Sequence, residues 1–365
     1  MIDLGIWLPI FGGWLRNVSD EGMPPTFEYN KSVAQAADKA GFSTILIAEL
    51  NLNDIKGIRA PSLECWTTTS ALAAVTEQVR LMSAIRPGFR EPAVTAKMAA
   101  NIDHISGGRF EINLVSAWWE EEMKMYVGDW LEHGDRYARS SEFVEILRGM
   151  WTEETFSYDG EFYTIEDAIL EPKPVQPGGV PIYAGGGSDE GRTMITNHCD
   201  HYLMHGGTPE KIAGDIEDMR ARRSDAGLDP DAMDFGMAAY VICRDTEEEA
   251  QAELDRITTI DYESEGYDSY DDFVENSKLD SEVDLKDYSV SNRGLRPDLV
   301  GTPDQIVDRL QEYADVGLDL VLLQCSPMLE EVERLGRDVI PRLKDRELSI
   351  DRKSTRLNSS HRYVS

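Results

Sequence analysis

Eight short apolar runs, set apart by stretches with helical periodicity or by connections of similar length, restrict this chain to few architectures. They are residues 4–10 (LGIWLPI), 43–48 (STILIA), 79–84, 110–115, 182–184, 200–205, 235–242 and 318–324. Each is too short to cross a bilayer, as expected of buried strands. Between them, residues 29–40 place Val33, Ala36, Ala37 and Ala40 on one helical face and stop at Gly41. Residues 66–76 and 92–105 read as further helices. Strands that alternate with helices through short loops pair in parallel, and eight of them predict an α/β fold, a closed (β/α)8 TIM barrel. Two segments break the rhythm. Residues 156–171 alternate like a hairpin about Asp159-Gly160, and residues 255–292 form an acidic insertion before the last strand. Dotted with Tyr262, Tyr267, Tyr270 and Phe273, the insertion reads equally as a lid over a site and as a solvated loop.

Ligands of such barrels sit at the carboxyl ends of the strands. Residues 106–122 (SGGRFEINLVSAWWEEE) run from a Gly-Gly turn through a buried strand to polar and aromatic groups, Asn113, Ser116, Trp118 and Trp119. That makes a floor for a planar ligand. Glu120, Glu121 and Glu122 suit the first turn of a helix, with one of them free to face the site. Gly185-Gly186-Gly187-Ser188 offers backbone N–H groups at a helix start, a cradle for phosphate or an ordinary Gly-rich turn. No Walker lysine follows it. The group His198, Cys199, Asp200, His201 and His205 lacks a third ligand on one face, so no metal is expected. His205, at a strand end, is a pocket residue whose role as acid, base or substrate contact stays open. Arg293 and Arg296 either close over an anion or pair with the acidic insertion.

The net charge of −32 disfavours nucleic acid and anionic membranes as partners. Only 11 of the 36 basic residues are lysine and the acids are dispersed, which predicts a halophile's surface. Cys65, Cys199, Cys243 and Cys325 are far apart and fit free thiols in the cytoplasm. Residues 351–361 (DRKSTRLNSSH) match what a widely used sequencing adapter encodes, so 1–350 is expected to be a single barrel domain and 351–365 a read-through tail.

Residues 26–42 (TFEYNKSVAQAADKAGF), 73–119, 130–143 (WLEHGDRYARSSEF), 170–177 (LEPKPVQP), 185–192 (GGGSDEGR) and 299–324 resemble the bacterial luciferase-like family of flavin-dependent barrel oxidoreductases. The resemblance spans about residues 4–343 and points within the family to the sulfone, alkanesulfonate and pyrimidine monooxygenases. It implies reduced FMN at the barrel's carboxyl face. Asn113 would then hydrogen-bond the flavin, with Ala48 and Glu49 beside its ring. Glu122, Arg136 and Tyr137 match flavin contacts of the pyrimidine enzymes, and His133 a flavin-side histidine of the sulfonate enzymes. Ser188, with Gly187 in the glycine turn, matches the phosphate contact. Arg293 and Arg296 fall in the closing loop of the sulfonate enzymes, though the Arg-Gly-Gly wording found there is absent. No cysteine matches the one that those enzymes carry after the second strand.

The implied chemistry takes reduced flavin from a separate NAD(P)H:flavin reductase and uses a flavin peroxide to oxidise a small organosulfur compound, breaking a C–S bond. No pyridine-nucleotide fingerprint is present, in keeping with an external reductase. A deazaflavin-dependent oxidoreductase, a pyrimidine-type monooxygenase and a non-catalytic flavin-binding protein are the alternatives. A homodimer or homotetramer is implied as well.

Overall fold

The computed structural model describes residues 2–346 except 117, 129, 269, 277–282 and 292–293. Arg293 and the tail from Asp351 therefore lie outside the described residues.

Eight parallel strands close a barrel: β1 (Asp3–Trp7), β2 (Thr44–Ile47), β3 (Arg80–Ile85), β4 (Phe110–Val115), β5 (Ile182–Gly185), β6 (His201–Met204), β7 (Asp234–Cys243) and β8 (Leu320–Gln324). Each pairs with the next, and β8 returns to β1 with Leu4 opposite Val321. These are the eight runs read from the sequence. β1 ends earlier than its apolar run because Pro9 has no N–H to give to a ladder. Alternation sorts each strand between two cores. Leu46, Met82, Tyr183, Leu203, Leu320 and Leu322 fill the barrel beneath Trp7. Their neighbours Ile45, Ile47, Leu81 and Leu323 face the helices instead.

The surrounding helices are α1 (Phe27–Ala40), α2 (Cys65–Ala73), α3 (Pro92–Ser106), α4 (Glu120–Tyr126), α5 (His133–Thr152), α6 (Asp189–His198), α7 (Pro209–Asp225), α8 (Glu247–Ile257), α9 (Tyr270–Asn276), α10 (Leu285–Tyr288), α11 (Pro303–Asp315) and α12 (Met328–Asp338). Gly41 closes α1 in the left-handed conformation, φ 87°, as its position predicted. Thr26, Ser188, Thr208, Thr246 and Thr302 cap helix starts with their hydroxyls. The hairpin is Phe156–Asp159 with Thr164–Ala168. Leu299–Gly301 adds a short parallel strand to the outside of β7.

The acidic insertion begins after α8 and carries α9 and α10. Tyr270 and Phe273 pack on Tyr288 at 5.1 and 5.2 Å between ring centroids. Two residues of the loop after β1 hold it down. Arg16 donates to the Gly266 carbonyl at 2.7 Å, and Asn17 accepts from the Tyr267 hydroxyl at 2.5 Å. Val290 also bridges to Leu15. Among the described residues no helix is long and apolar enough to cross a membrane.

Candidate active site

A cavity of about 240 Å³ opens at the carboxyl ends of the strands. Trp7 from β1, Ala48 and Glu49 after β2, Asn113 and Val115 on β4, Gly185–Gly187 after β5 and His205 after β6 all contribute to it. The insertion adds Phe273, Tyr288 and Ser291. The barrel thus gathers in space strand ends that are scattered in sequence.

One corner is built for an anion. Ser188 caps α6, its Oγ accepting from the Gly191 N–H at 3.2 Å. That hydroxyl also lies 3.1 Å from His133 Nε2. His133 Nδ1 accepts from Arg136 Nη2 at 3.2 Å, which leaves Nε2 as the protonated nitrogen that donates to Ser188. Tyr137 stands edge-on to the His133 ring at 5.2 Å. A Cβ on Gly186 or Gly191 would meet the Tyr137 side chain at 3.0 Å, so a larger residue at either position would have to push Tyr137 aside by a few tenths of an ångström. Arg136 is 5% exposed, its face 4.2 Å over Trp130 and its Nη1 on the Leu131 carbonyl at 3.1 Å. No described carboxylate pairs with it, and Nε has no partner among the described residues. Burial pushes its pKa down. A buried cation whose hydrogen-bond partners are neutral, with Glu132 and Glu120 acting only through space, is costly, and it suits a site completed by an anionic ligand.

The floor is made for a flat ring with imide-like donors. Asn113 is 6% exposed, and its Oδ1 finds no partner among the described residues. Ala48, Ala84 and Val115 give it small apolar neighbours. Beside them Glu49 accepts from the Arg86 N–H at 2.7 Å and from Arg90 Nε at 2.5 Å. Burial raises its pKa in spite of the two arginines. An aromatic wall closes the far side. Trp118 stacks on Trp119 at 5.5 Å and meets Phe273 of the insertion edge-on, also at 5.5 Å.

The structure brings together Ala48, Glu49, Asn113, His133, Arg136, Tyr137, Gly187 and His205 at this cavity, with Ser188 directly behind Gly187. Two expected residues are placed elsewhere. Glu122 is fully buried away from the cavity, where Arg86 binds it at 3.0 Å through Nη2 and the Asn51 N–H donates to it at 2.5 Å. Arg296 binds Asp287 of α10 at 2.6 Å, so its charge is turned toward the insertion. The histidine group disperses too: His201 and His205 lie at opposite ends of β6. At the barrel's amino end, His201 packs on Tyr183 and lies 3.3 Å from Asp234. No three described His, Cys, Asp or Glu side chains could share a metal ion. All four cysteines are free and buried.

The sequence reading missed Arg16 and Asp54, an ion pair of 2.6 Å in the cavity lining, and the indoles of Trp7 and Trp14. The scarcity of bases could have singled out Arg16. Nothing in sequence ties it to a partner 38 positions away.

The fold and the cavity are those of a barrel with room for a flat, anion-bearing ligand at its strand ends. Residues 2–320 match the luciferase-like monooxygenase family, and the chain belongs to it. It is 35% identical over 359 residues to the FMNH(2)-dependent dimethylsulfone monooxygenase of Pseudomonas putida, covering 95% of this chain and 96% of that one. The enzyme of the same name from Pseudomonas fluorescens (strain Pf0-1) is 34% identical over 356 residues, 95% of each chain. Among solved structures, DmoA from Hyphomicrobium sulfonivorans superposes with a TM-score of 0.74 at 17% identity, over 95% of this chain and 88% of that one. The long-chain alkane monooxygenase LadA gives 0.78 at 17%, over 95% and 92%. At these identities the superpositions speak for the fold alone.

Proposed function

We propose that this chain is a two-component, reduced-FMN-dependent monooxygenase that oxidises a small organosulfur compound, a sulfone or an alkanesulfonate, with C–S cleavage. The observation that carries the reading is the buried Arg136, without an ion-pair partner among the described residues, beside Ser188 and His133, which fits the phosphate of a flavin mononucleotide. Arg136, His133, Ser188 and the backbone at Gly187 would hold the phosphate. Asn113 Oδ1 would accept from the ring's imide N–H, with Ala48 and Glu49 alongside. Reduced flavin, when bound, supplies the electrons that activate oxygen. The chain's own part is to orient the ring and to shut out water. Trp118, Trp119 and Phe273 serve that end. His205 lies where it could contact substrate, and Arg296 lies beside the insertion, bound to Asp287. The relatives' reduced-FMN naming supports a separate NAD(P)H:flavin reductase as partner, and we place the enzyme in the cytoplasm as a homodimer or homotetramer.

The test supplies the full chain, in molar salt, with reduced FMN, oxygen and dimethyl sulfone. One sulfone, one oxygen molecule and one reduced flavin should give methanesulfinate, formaldehyde, oxidised flavin and water. Product that needs both reduced flavin and oxygen supports the assignment. A chain that ignores reduced FMN but binds a reduced deazaflavin would overturn it.

A further inference from the structure

One end of the cavity is left over once the flavin contacts are assigned. Trp7, Phe11, Trp14, Phe273 and Tyr288 wall it, and its ion pair is Arg16 with Asp54. The two side chains are 2% and 8% exposed. Most of the guanidinium is engaged: Nη2 on Asp54, Nη1 on the backbone carbonyls of Asp54 and Gly266, and its face 3.8 Å over Tyr288. Arg16 Nε and Asp54 Oδ1 have no partner among the described residues. The indole N–H groups of Trp7 and Trp14 also lack one, and the two rings meet edge-on at 5.9 Å. This end therefore combines an aromatic wall with a charge pair that sums to zero, its unsatisfied polar atoms buried within the wall. Of the other arginines in the lining, Arg86 is closed by Glu122 and Arg136 sits at the Ser188 corner.

Resting on the monooxygenase reading above, we propose that the Arg16–Asp54 pair sets the charge selectivity of the substrate end. Asp54 cancels the guanidinium, so the site takes a neutral sulfonyl group, two acceptor oxygens flanked by small alkyl groups. It rejects an alkanesulfonate, whose negative charge would need Arg16 to itself and would lie beside the buried Asp54 carboxylate. Like charges repel strongly where water is excluded, and specificity here comes from that repulsion as much as from attraction. Asp54→Asn keeps the shape and the hydrogen bond to Arg16 while removing the negative charge.

The experiment measures dissociation constants of dimethyl sulfone and methanesulfonate by calorimetry on the full chain saturated with FMN. It is run at pH 8, where an ordinary histidine is neutral. The wild type should bind the sulfone at least about tenfold tighter than the sulfonate, and Asp54→Asn should cut that ratio at least about tenfold. A ratio that Asp54→Asn leaves unchanged, in a variant whose circular dichroism and FMN affinity match the wild type, overturns the proposal. A wild type that prefers methanesulfonate overturns it without any variant. Should Asp54→Asn fail to fold, Arg16→Gln replaces it: with Asp54 no longer cancelled, the preference for the sulfone must sharpen, and an unchanged ratio overturns the proposal. Turnover is scored separately. Failure to oxidise either compound counts against the monooxygenase reading, and the binding ratio still decides the role of Asp54.

Discussion

Replacing Arg136 by methionine separates a phosphate site from a structural arginine. In the free protein the guanidinium makes two hydrogen bonds to neutral groups, at 3.1 and 3.2 Å, and one stack on Trp130. These contribute about 1 kcal/mol each. Against them stands the desolvation of a buried cation that no described carboxylate ion-pairs, Glu132 and Glu120 acting only through space, several kcal/mol in general. Arg136→Met should therefore leave the flavin-free protein within about 1 kcal/mol of wild type, or more stable. A bound phosphate changes the balance. Two charge-assisted bonds to the guanidinium are worth about 3 kcal/mol together, so FMN should bind roughly 150-fold more weakly to the variant. Riboflavin, which has the same ring and no phosphate, should change by less than about threefold. Flavin fluorescence titrations of both ligands against both proteins give the four constants. If FMN and riboflavin weaken alike, Arg136 acts on the fold or the ring and the phosphate assignment fails. If FMN is unaffected, the anion sits elsewhere.

Other outcomes follow from the same structure. Glu111, at the amino end of β4, has Arg80 Nε 3.0 Å away, yet burial dominates and pushes its pKa from 4.5 up to about 7. The folded chain then holds a proton that the unfolded chain releases, so stability falls as pH rises from about 4.5 to about 7, by up to about 3 kcal/mol. Urea unfolding across that range should show the fall in wild type and a flatter profile in Glu111→Gln; equal slopes would exclude Glu111. Phe273→Ala removes the edge contact on Trp118, worth about 1 kcal/mol, and should raise wasted reduced-flavin oxidation relative to product roughly fivefold; an unchanged ratio would show that the insertion does not shield the site. The charge of −32 predicts a melting temperature that climbs between low and molar salt, and a chain more stable at low salt would refute a salt-adapted surface.

The barrel was legible because its strands are buried on both faces and so read as unbroken apolar runs, as in TILI of β2 and LVLLQ of β8, every residue of which is buried. Leu299–Gly301 escaped because three residues carry no period. Much of the site was legible too, since Asn113, Ala48 and Gly187 sit at strand ends whatever their partners. Pairings across the sequence were not. Glu122 stood in the right segment, but Arg86 arrives from the end of β3 and takes its carboxylate out of the cavity. Arg296 had two readings, and the structure pairs it with Asp287 of the insertion. Arg16 and Asp54 meet only because the loops after β1 and β2 are neighbours in the closed barrel.

An anion-binding cavity in a chain this acidic needs an explanation, since the field of the whole molecule opposes the ligand. The distribution of arginines provides one. Around the cavity Arg16, Arg86 and Arg90 are each matched to a carboxylate, Asp54, Glu122 and Glu49, so they shape the walls and add little net potential. Arg136 is left without a described carboxylate, in the same corner as the α6 N-terminus and the Ser188 hydroxyl. Burial lengthens the reach of that single charge and dipole, while the repelling acids are dispersed at the surface, where solvent and salt screen them. Attraction is thus confined to the place where a phosphate would sit. At the other end the same rule, one carboxylate to one arginine, keeps the floor polar and uncharged. A cavity so divided can hold an anionic cofactor at one end and a neutral substrate at the other without either competing for the other's site.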